Sequence, residues 1–141
     1  MSTNSSIGYV NPQTGTIHGI YCHWDGHLHS VGRILLEYFK DPNKIMCLID
    51  LGDVSSLAPS IIKPDGHTFN TPVEGYTIFY GRDRGESGCR PRKFANEREF
   101  CSVGYRPYKY LFKDGKWFYR NTPGAGPFFE LTEADVQETQ H

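Results

Sequence analysis

Apolar and polar positions along the chain alternate in short stretches, with few long helical runs. Ser6 to Val10 carries Ile7, Tyr9 and Val10, Asn11-Pro12-Gln13-Thr14-Gly15 is a turn cluster, and Thr16 to Cys22 carries Ile17, Ile20 and Tyr21. This pattern predicts an antiparallel hairpin, in which Gly8 and Gly19 mark a bulge or a close approach. The second strand breaks at His23-Trp24-Asp25-Gly26. Val31, Ile34, Leu35 and Tyr38 then recur at i, i+3, i+4 and i+7, the apolar stripe of a helix that Ser30 is placed to cap. Asp41-Pro42 reads as the cap and first residue of a second helix, with Ile45, Leu48 and Ile49 inward and Gly52 as its stop.

Residues 53–74 read as irregular, with Ser55-Ser56-Leu57 as a turn and Pro59, Pro64, Gly66 and Pro72 as breakers; a loop of this length is either a lid or a partner surface. Gly75 to Tyr80 is β-branched and aromatic almost throughout, which predicts a central strand covered on both faces. Ala95 to Phe100 predicts a helical turn or two. Tyr108 to Lys113 and Lys116 to Arg120 flank Asp114-Gly115, a strong hairpin signal. Pro123 to Pro127 breaks the pattern, Phe128, Phe129 and Leu131 return to the core, and the acidic tail from about residue 132 frays. The expected whole is a single α+β domain over residues 1–141: an antiparallel sheet of about five strands, with two short helices (Val31–Tyr38 and Ile45–Leu51) packed on one face.

Charge adds to this picture. Residues 1–81 hold four Lys/Arg against seven Asp/Glu, residues 82–120 hold eleven against five, and the last 21 residues hold four acids and no base. A basic middle in a near-neutral chain attracts anions. No apolar run reaches the roughly 20 residues of a membrane helix, and the polar N-terminus has no signal-peptide pattern. Cys22, Cys47, Cys89 and Cys101 form no C-x-x-C pair. A cytoplasmic protein with reduced thiols fits this pattern.

The opening Met1-Ser2-Thr3-x-Ser5, the run Gly19-Ile20-Tyr21-Cys22-His23-Trp24-Asp25-Gly26, Gly32 to Glu37, Leu51-Gly52-Asp53-Val54-Ser55-Ser56-Leu57 and Gly81 to Glu86 together resemble a group of small proteins encoded by phages and some bacteria. The resemblance covers roughly half the chain. It implies a phage context and, for a phage product, the host cytoplasm. It implies no reaction. Where many of those proteins have Tyr-Pro after the Asp-Gly, this chain has His27-Leu28, and it has Asn4 where they often have Arg, so the resemblance assigns His27 no role.

Two stretches carry chemistry. His23, Trp24 and Asp25 place an imidazole, an indole and a carboxylate at a strand end, where they could hold a ligand or move a proton. Arg82, Arg84 and Glu86 follow the Gly75–Tyr80 run, where guanidinium forks suit phosphate. The same residues read structurally as a capped turn with a core Trp, and as a self-paired loop. His23, His27 and His29 lack the spacing of an established zinc site, so no metal and no cofactor are expected. The aromatic–basic run Tyr105 to Arg120 reads first as a sheet with one buried face. P-loop, Rossmann and nucleophile-elbow motifs are absent.

The sequence expectation is a binding protein that sequesters a nucleotide-like anion, a sponge directed against a host defence signal, with His23, Trp24, Asp25, Arg82, Arg84 and Glu86 as its ligand-binding residues. Two alternatives stay open. One is a phosphodiesterase or hydrolase using His23 and Asp25 on a nucleotide signal. The other is a protein-binding inhibitor without a small ligand. Membrane and duplex nucleic acid are not expected partners, and a homo-oligomer is compatible with the chain.

Overall fold

A computed structural model describes residues 3–103, 106–121 and 127–137. Tyr105, the break at Pro123 to Gly126, and the end beyond Gln137 lie outside the described residues. Leu131 and Val136, on either side of the point where the tail was expected to begin, both pack in the main core.

The hairpin forms where the pattern places it, as β1 (Ser5–Val10) and β2 (Ile17–Cys22), paired antiparallel with Gly8 opposite Gly19. Next come a five-residue π-helical turn at Leu28–Gly32, α1 (Arg33–Tyr38) and α2 (Pro42–Leu51). Asp41 caps α2 as expected, its carboxylate accepting the Asn43 N–H at 2.9 Å. Ser30 caps nothing, because it sits inside the π turn. That wider turn shifts the phase of the apolar stripe: Val31, Leu35 and Phe39 face inward at spacings of four, and Tyr38 is left half exposed.

The remaining elements are β3 (Val54–Ser56), β4 (Ile78–Phe79), α3 (Tyr80–Arg84), β5 (Arg92–Phe94), α4 (Glu97–Cys101), β6 (Tyr108–Lys113), β7 (Lys116–Arg120) and β8 (Phe129–Glu130). Asp114 and Gly115 both have positive φ, the requirement of a tight β6–β7 turn. The strands form one sheet in the order β4-β3-β2-β1-β6-β7-β8, with β5 paired to β2 beside β3.

This corrects the expected five-stranded antiparallel sheet with two helices. Among the described residues the sheet has eight strands, is mixed, and is accompanied by four α-helices. β2 and β3 are parallel because α1 and α2, between them in sequence, form a crossover from which β3 enters in the same direction as β2. β1 and β6 are parallel along five residue pairs, a pairing about a hundred residues apart that no local pattern announces. The added strands are two or three residues long, too short for periodicity to register.

The Gly75–Tyr80 run is likewise corrected. Only Ile78 and Phe79 form a strand, Tyr76 makes an isolated parallel bridge with Ser60, and β4 is an edge of the sheet. Its partner β3 is three residues long and irregular in register there, Gly75 has φ 90°, and Tyr80 already starts α3. Thr77 instead holds the preceding loop through hydroxyl bonds to the Ala58 N–H and carbonyl. Buried His67 completes that anchor. Its Nδ1 accepts the Val73 N–H at 3.0 Å, and its Nε2 lies 3.2 Å from the Thr77 carbonyl and 3.4 Å from Asp83.

The sheet has two unlike faces. Ile7, Ile20, Cys22, Tyr110, Phe112 and Trp117 point to the main core, under α1 and α2. On the opposite face, Ile17, Phe94, Phe100 and Leu111 form a smaller core under α4. The strand glycines permit this second core: a Cβ on Gly8 or Gly19 would fall 2.9 or 2.8 Å from the Phe100 ring. α4 covers only one end of this face. At the other end the register lines up a polar row across four strands: Tyr21, Ser6, Lys109 and Arg120.

Candidate functional site

The polar row is where the structure gathers chemistry. Tyr21 and His23 lie two residues apart at the end of β2, and the Tyr21 hydroxyl is 2.6 Å from His23 Nδ1. The Arg106 guanidinium sits over the Tyr21 ring at 4.8 Å and donates to Ser6 Oγ at 3.1 Å. Arg92 stands opposite Gly19 on the neighbouring strand, diagonal to Tyr21 on the same face. Asp53, from the turn after α2, accepts the Tyr21 N–H at 2.9 Å. Lys109 and Arg120, each 6% exposed, stand behind, with Lys109 donating to the Arg106 carbonyl at 2.8 Å and Arg120 to the Pro127 carbonyl.

The electrostatics of this group are lopsided. Burial lowers the Arg106 pKa, and neighbouring Arg92 pushes the same way. Burial likewise lowers that of Lys109, with Arg120 and Arg106 adding repulsion. Burial raises the Asp53 pKa, and the Tyr21 N–H, Arg106 and Arg92 only partly offset it. Among the described residues no carboxylate lies within ion-pair distance of Arg92, Arg106 or Lys109. Burial and Tyr80 raise the Tyr21 pKa despite the Arg106 cation, so the phenol stays protonated. The bond can run either way: Nδ1–H donates to the phenol oxygen, or the phenol donates to Nδ1 and the imidazole carries its proton as an Nε2 N–H. That N–H has no partner among the described residues and is available as a donor. Cys22, fully buried, has its thiol pushed up to about 12 by burial and is no nucleophile.

The expected site residues fall in two places. Trp24 is 44% exposed with its ring edge-on to His23 at 4.8 Å, so it is not a core residue. Asp25 makes the turn: it has φ 56°, which Asp tolerates better than most residues, and its carbonyl accepts the Val31 N–H. Next to it, Gly26 donates to the Thr3 carbonyl and its own carbonyl accepts the buried Tyr110 hydroxyl. His27 stacks on His29 and meets Thr3 Oγ1.

Arg82 is committed to structure. It pairs with Asp83 at 2.9 Å, donates to the Ile61 carbonyl at 2.6 Å, reaches the Thr77 carbonyl, and lies over the Phe79 ring. Burial pushes the Asp83 carboxyl up, but Arg82 and the Phe79 N–H outweigh it and hold the carboxyl below its ordinary range. Arg84 lies over Phe69 and is 3.7 Å from Glu86. Beside them is an open cleft of about 520 Å³, lined by Arg82, Glu86, Cys89, Arg90 and Asp50 among others; His23, Trp24 and Asp25 are not part of its wall.

Tyr21, Asp53, Arg92 and Arg106 are the residues that pattern reading did not select. Arg92 reads in sequence as one more cation of a solvated loop, and Arg106 as part of an alternating strand. Only Asp53 has a local signal, an acid directly after a helix stop.

Asp53→Asn tests the charge balance. A carboxyl whose folded pKa lies above its unfolded value contributes stability below the unfolded pKa and loses it as pH rises through the folded one. Ionised Asp53 is therefore a cost at neutral pH. The amide oxygen can still accept the Tyr21 N–H. We expect an unchanged or higher melting temperature at pH 7, and anion binding tighter by about fivefold, on the order of 1 kcal/mol for one screened charge. Differential scanning fluorimetry and calorimetric titration read both; weaker anion binding would place Asp53 among the ligand contacts.

Among the described residues no helix is long and apolar enough to cross a membrane, and no three His, Cys, Asp or Glu side chains converge on a metal position. Comparison with protein-family models, curated proteins and solved structures finds no significant match to this chain.

Proposed function

We propose that this protein binds a small nucleotide-like anion and holds it intact, and that its site is the polar end of the sheet face around Tyr21, His23, Arg92 and Arg106. In the phage context that the sequence resemblance implies, this would be sequestration of a host nucleotide signal. The observation that carries the reading is the pair Arg92 and Arg106, neighbouring cations that lie in the field of Asp53 but, among the described residues, have no carboxylate within ion-pair distance. Like charges brought together on a half-buried face are unfavourable until an anion bridges them. Trp24 supplies an exposed aromatic face for a base on the far side of His23.

The binding reading takes His23 in the tautomer that accepts from the Tyr21 hydroxyl. In that tautomer the imidazole offers its Nε2–H and has no free lone pair to act as a base; in the other, Nε2 would be the base of the phosphodiesterase reading. The reading relocates the cationic part of the site. Arg82 and Arg84 hold the loop 57–77 and α3 in place, and the ligand contacts pass to Arg92 and Arg106.

The test is incubation with a panel of linear and cyclic nucleotides, followed by chromatography before and after heat denaturation. We expect recovery of intact ligand, and His23→Ala to weaken binding about 2- to 13-fold, the worth of one hydrogen bond of roughly 0.5–1.5 kcal/mol. Recovery of a cleaved product that disappears in His23→Ala would put the phosphodiesterase reading first, since a proton-transfer residue is worth about 10² to 10⁴ in rate.

A further inference from the structure

We infer that the group recognised at this site is a terminal phosphate in its doubly charged form, in preference to a phosphodiester. The inference rests on the binding reading above and specifies the chemistry of the ligand. It starts from a count of donors. Arg106 has five N–H donors and, among the described residues, uses one, on Ser6 Oγ. Arg92 is exposed, and its side chain has no hydrogen bond among the described residues. His23, in the tautomer of the binding reading, adds its Nε2–H. Two guanidinium forks and an imidazole call for at least three acceptor oxygens converging on one centre. A phosphomonoester has three terminal oxygens, whereas a phosphodiester, like a carboxylate, has two.

Charge leads to the same choice. The face carries Arg92, Arg106 and Lys109, and Asp53 is the acid within their field that touches the site. Glu86 influences Asp53 but lies 3.7 Å from Arg84, which largely balances it. The net excess is therefore more than one positive charge. A monoanionic diester leaves part of it uncompensated, and a dianionic phosphate removes it. Lys109, buried behind the site, adds to this field without being a ligand contact, so it favours total ligand charge over ligand shape.

Isothermal titration of the intact protein at pH 7.5 with 5′-AMP, 3′,5′-cyclic AMP, adenosine and inorganic phosphate tests the inference, with Arg92→Ala as the comparison variant. Arg92 is exposed in a short edge strand, so this variant keeps the fold. We expect 5′-AMP to bind at least about tenfold tighter than the cyclic diester, adenosine not to bind, and the ratio to fall toward one in Arg92→Ala. Cyclic AMP binding as tightly as 5′-AMP overturns the inference and leaves the binding reading standing. A preference that is undiminished in Arg92→Ala also overturns it, because the discrimination then arises elsewhere. Inorganic phosphate binding as tightly as 5′-AMP upholds the terminal-phosphate inference and removes the base from the reading. If no phosphate compound binds, both fall.

Discussion

Arg106→Ala is expected to weaken binding of a phosphate-bearing nucleotide by about 10²-fold or more. Among the described residues the guanidinium has one hydrogen bond, to Ser6 Oγ, which leaves donors for a ligand. Two charge-assisted bonds to a ligand are worth roughly 1.5–3 kcal/mol each, and about 1.4 kcal/mol is a factor of ten. Arg106→Lys should recover only part of the loss, because an ammonium carries the charge without the planar fork. The effect on folding should be small by comparison, about 0.5–1 kcal/mol from the contact with the Tyr21 ring. Calorimetric titration paired with thermal melts separates the two. Arg106→Ala that binds as wild type, with an unchanged melt, would remove Arg106 from the site and the reading with it.

The largest effect on stability should come from Gly52→Ala. Gly52 ends α2 with φ 92°, a conformation L side chains rarely adopt, and a Cβ there would lie against the Cys89 carbonyl. That carbonyl accepts the Asp53 N–H at 2.8 Å, so the clash would also dislodge the residue that anchors the Tyr21 backbone. Backbone strain alone is about 1–3 kcal/mol, and the contact adds to it, so a loss of about 3 kcal/mol or more in urea denaturation is expected. Gly15→Ala is the control. It shares the positive φ (76°) but would meet no atom within 4 Å, so it should show the strain alone. Equal losses at the two positions would mean that the contact with Cys89 is relieved at no cost. Because Gly52 precedes Asp53 directly, the variant should also bind a nucleotide more weakly than its remaining folded fraction accounts for.

Much of the local structure was legible before any tertiary contact was known. Asn11 to Gly15, Asp114-Gly115 and Asp41-Pro42 each act through their own backbone angles and nearest amides, so their hairpins and helix start follow from a few adjacent residues. The close approach at Gly8 and Gly19 was also readable in kind, because a glycine within a strand leaves room for a neighbour. Its identity, the Phe100 ring, was not. The polar turn at His23 was visible as chemistry, and Trp24 and Asp25 with it. Which nitrogen of His23 carries the proton depends on Tyr21, and therefore on both side chains emerging on one face of a twisted strand.

The sequence by itself determined the local elements and the basic middle of the chain. Only the tertiary structure decided which cations share a face. Arg82 and Arg84 look more like a phosphate loop than Arg92 and Arg106 do, because glycine and acid neighbours surround them. Yet Arg82 is consumed by the Asp83 carboxylate and two loop carbonyls, and that pairing forms only once the loop 57–77 folds back on α3. Arg106 gains its position from β6 docking parallel to β1, and Arg92 from β5 pairing with β2. Such pairings join segments from about seventy to a hundred residues apart, where loop closure costs entropy and the compensating contacts are spread over the whole sheet. No short window of sequence contains that balance, so the charge of the middle segment was readable while its address on the molecule was not.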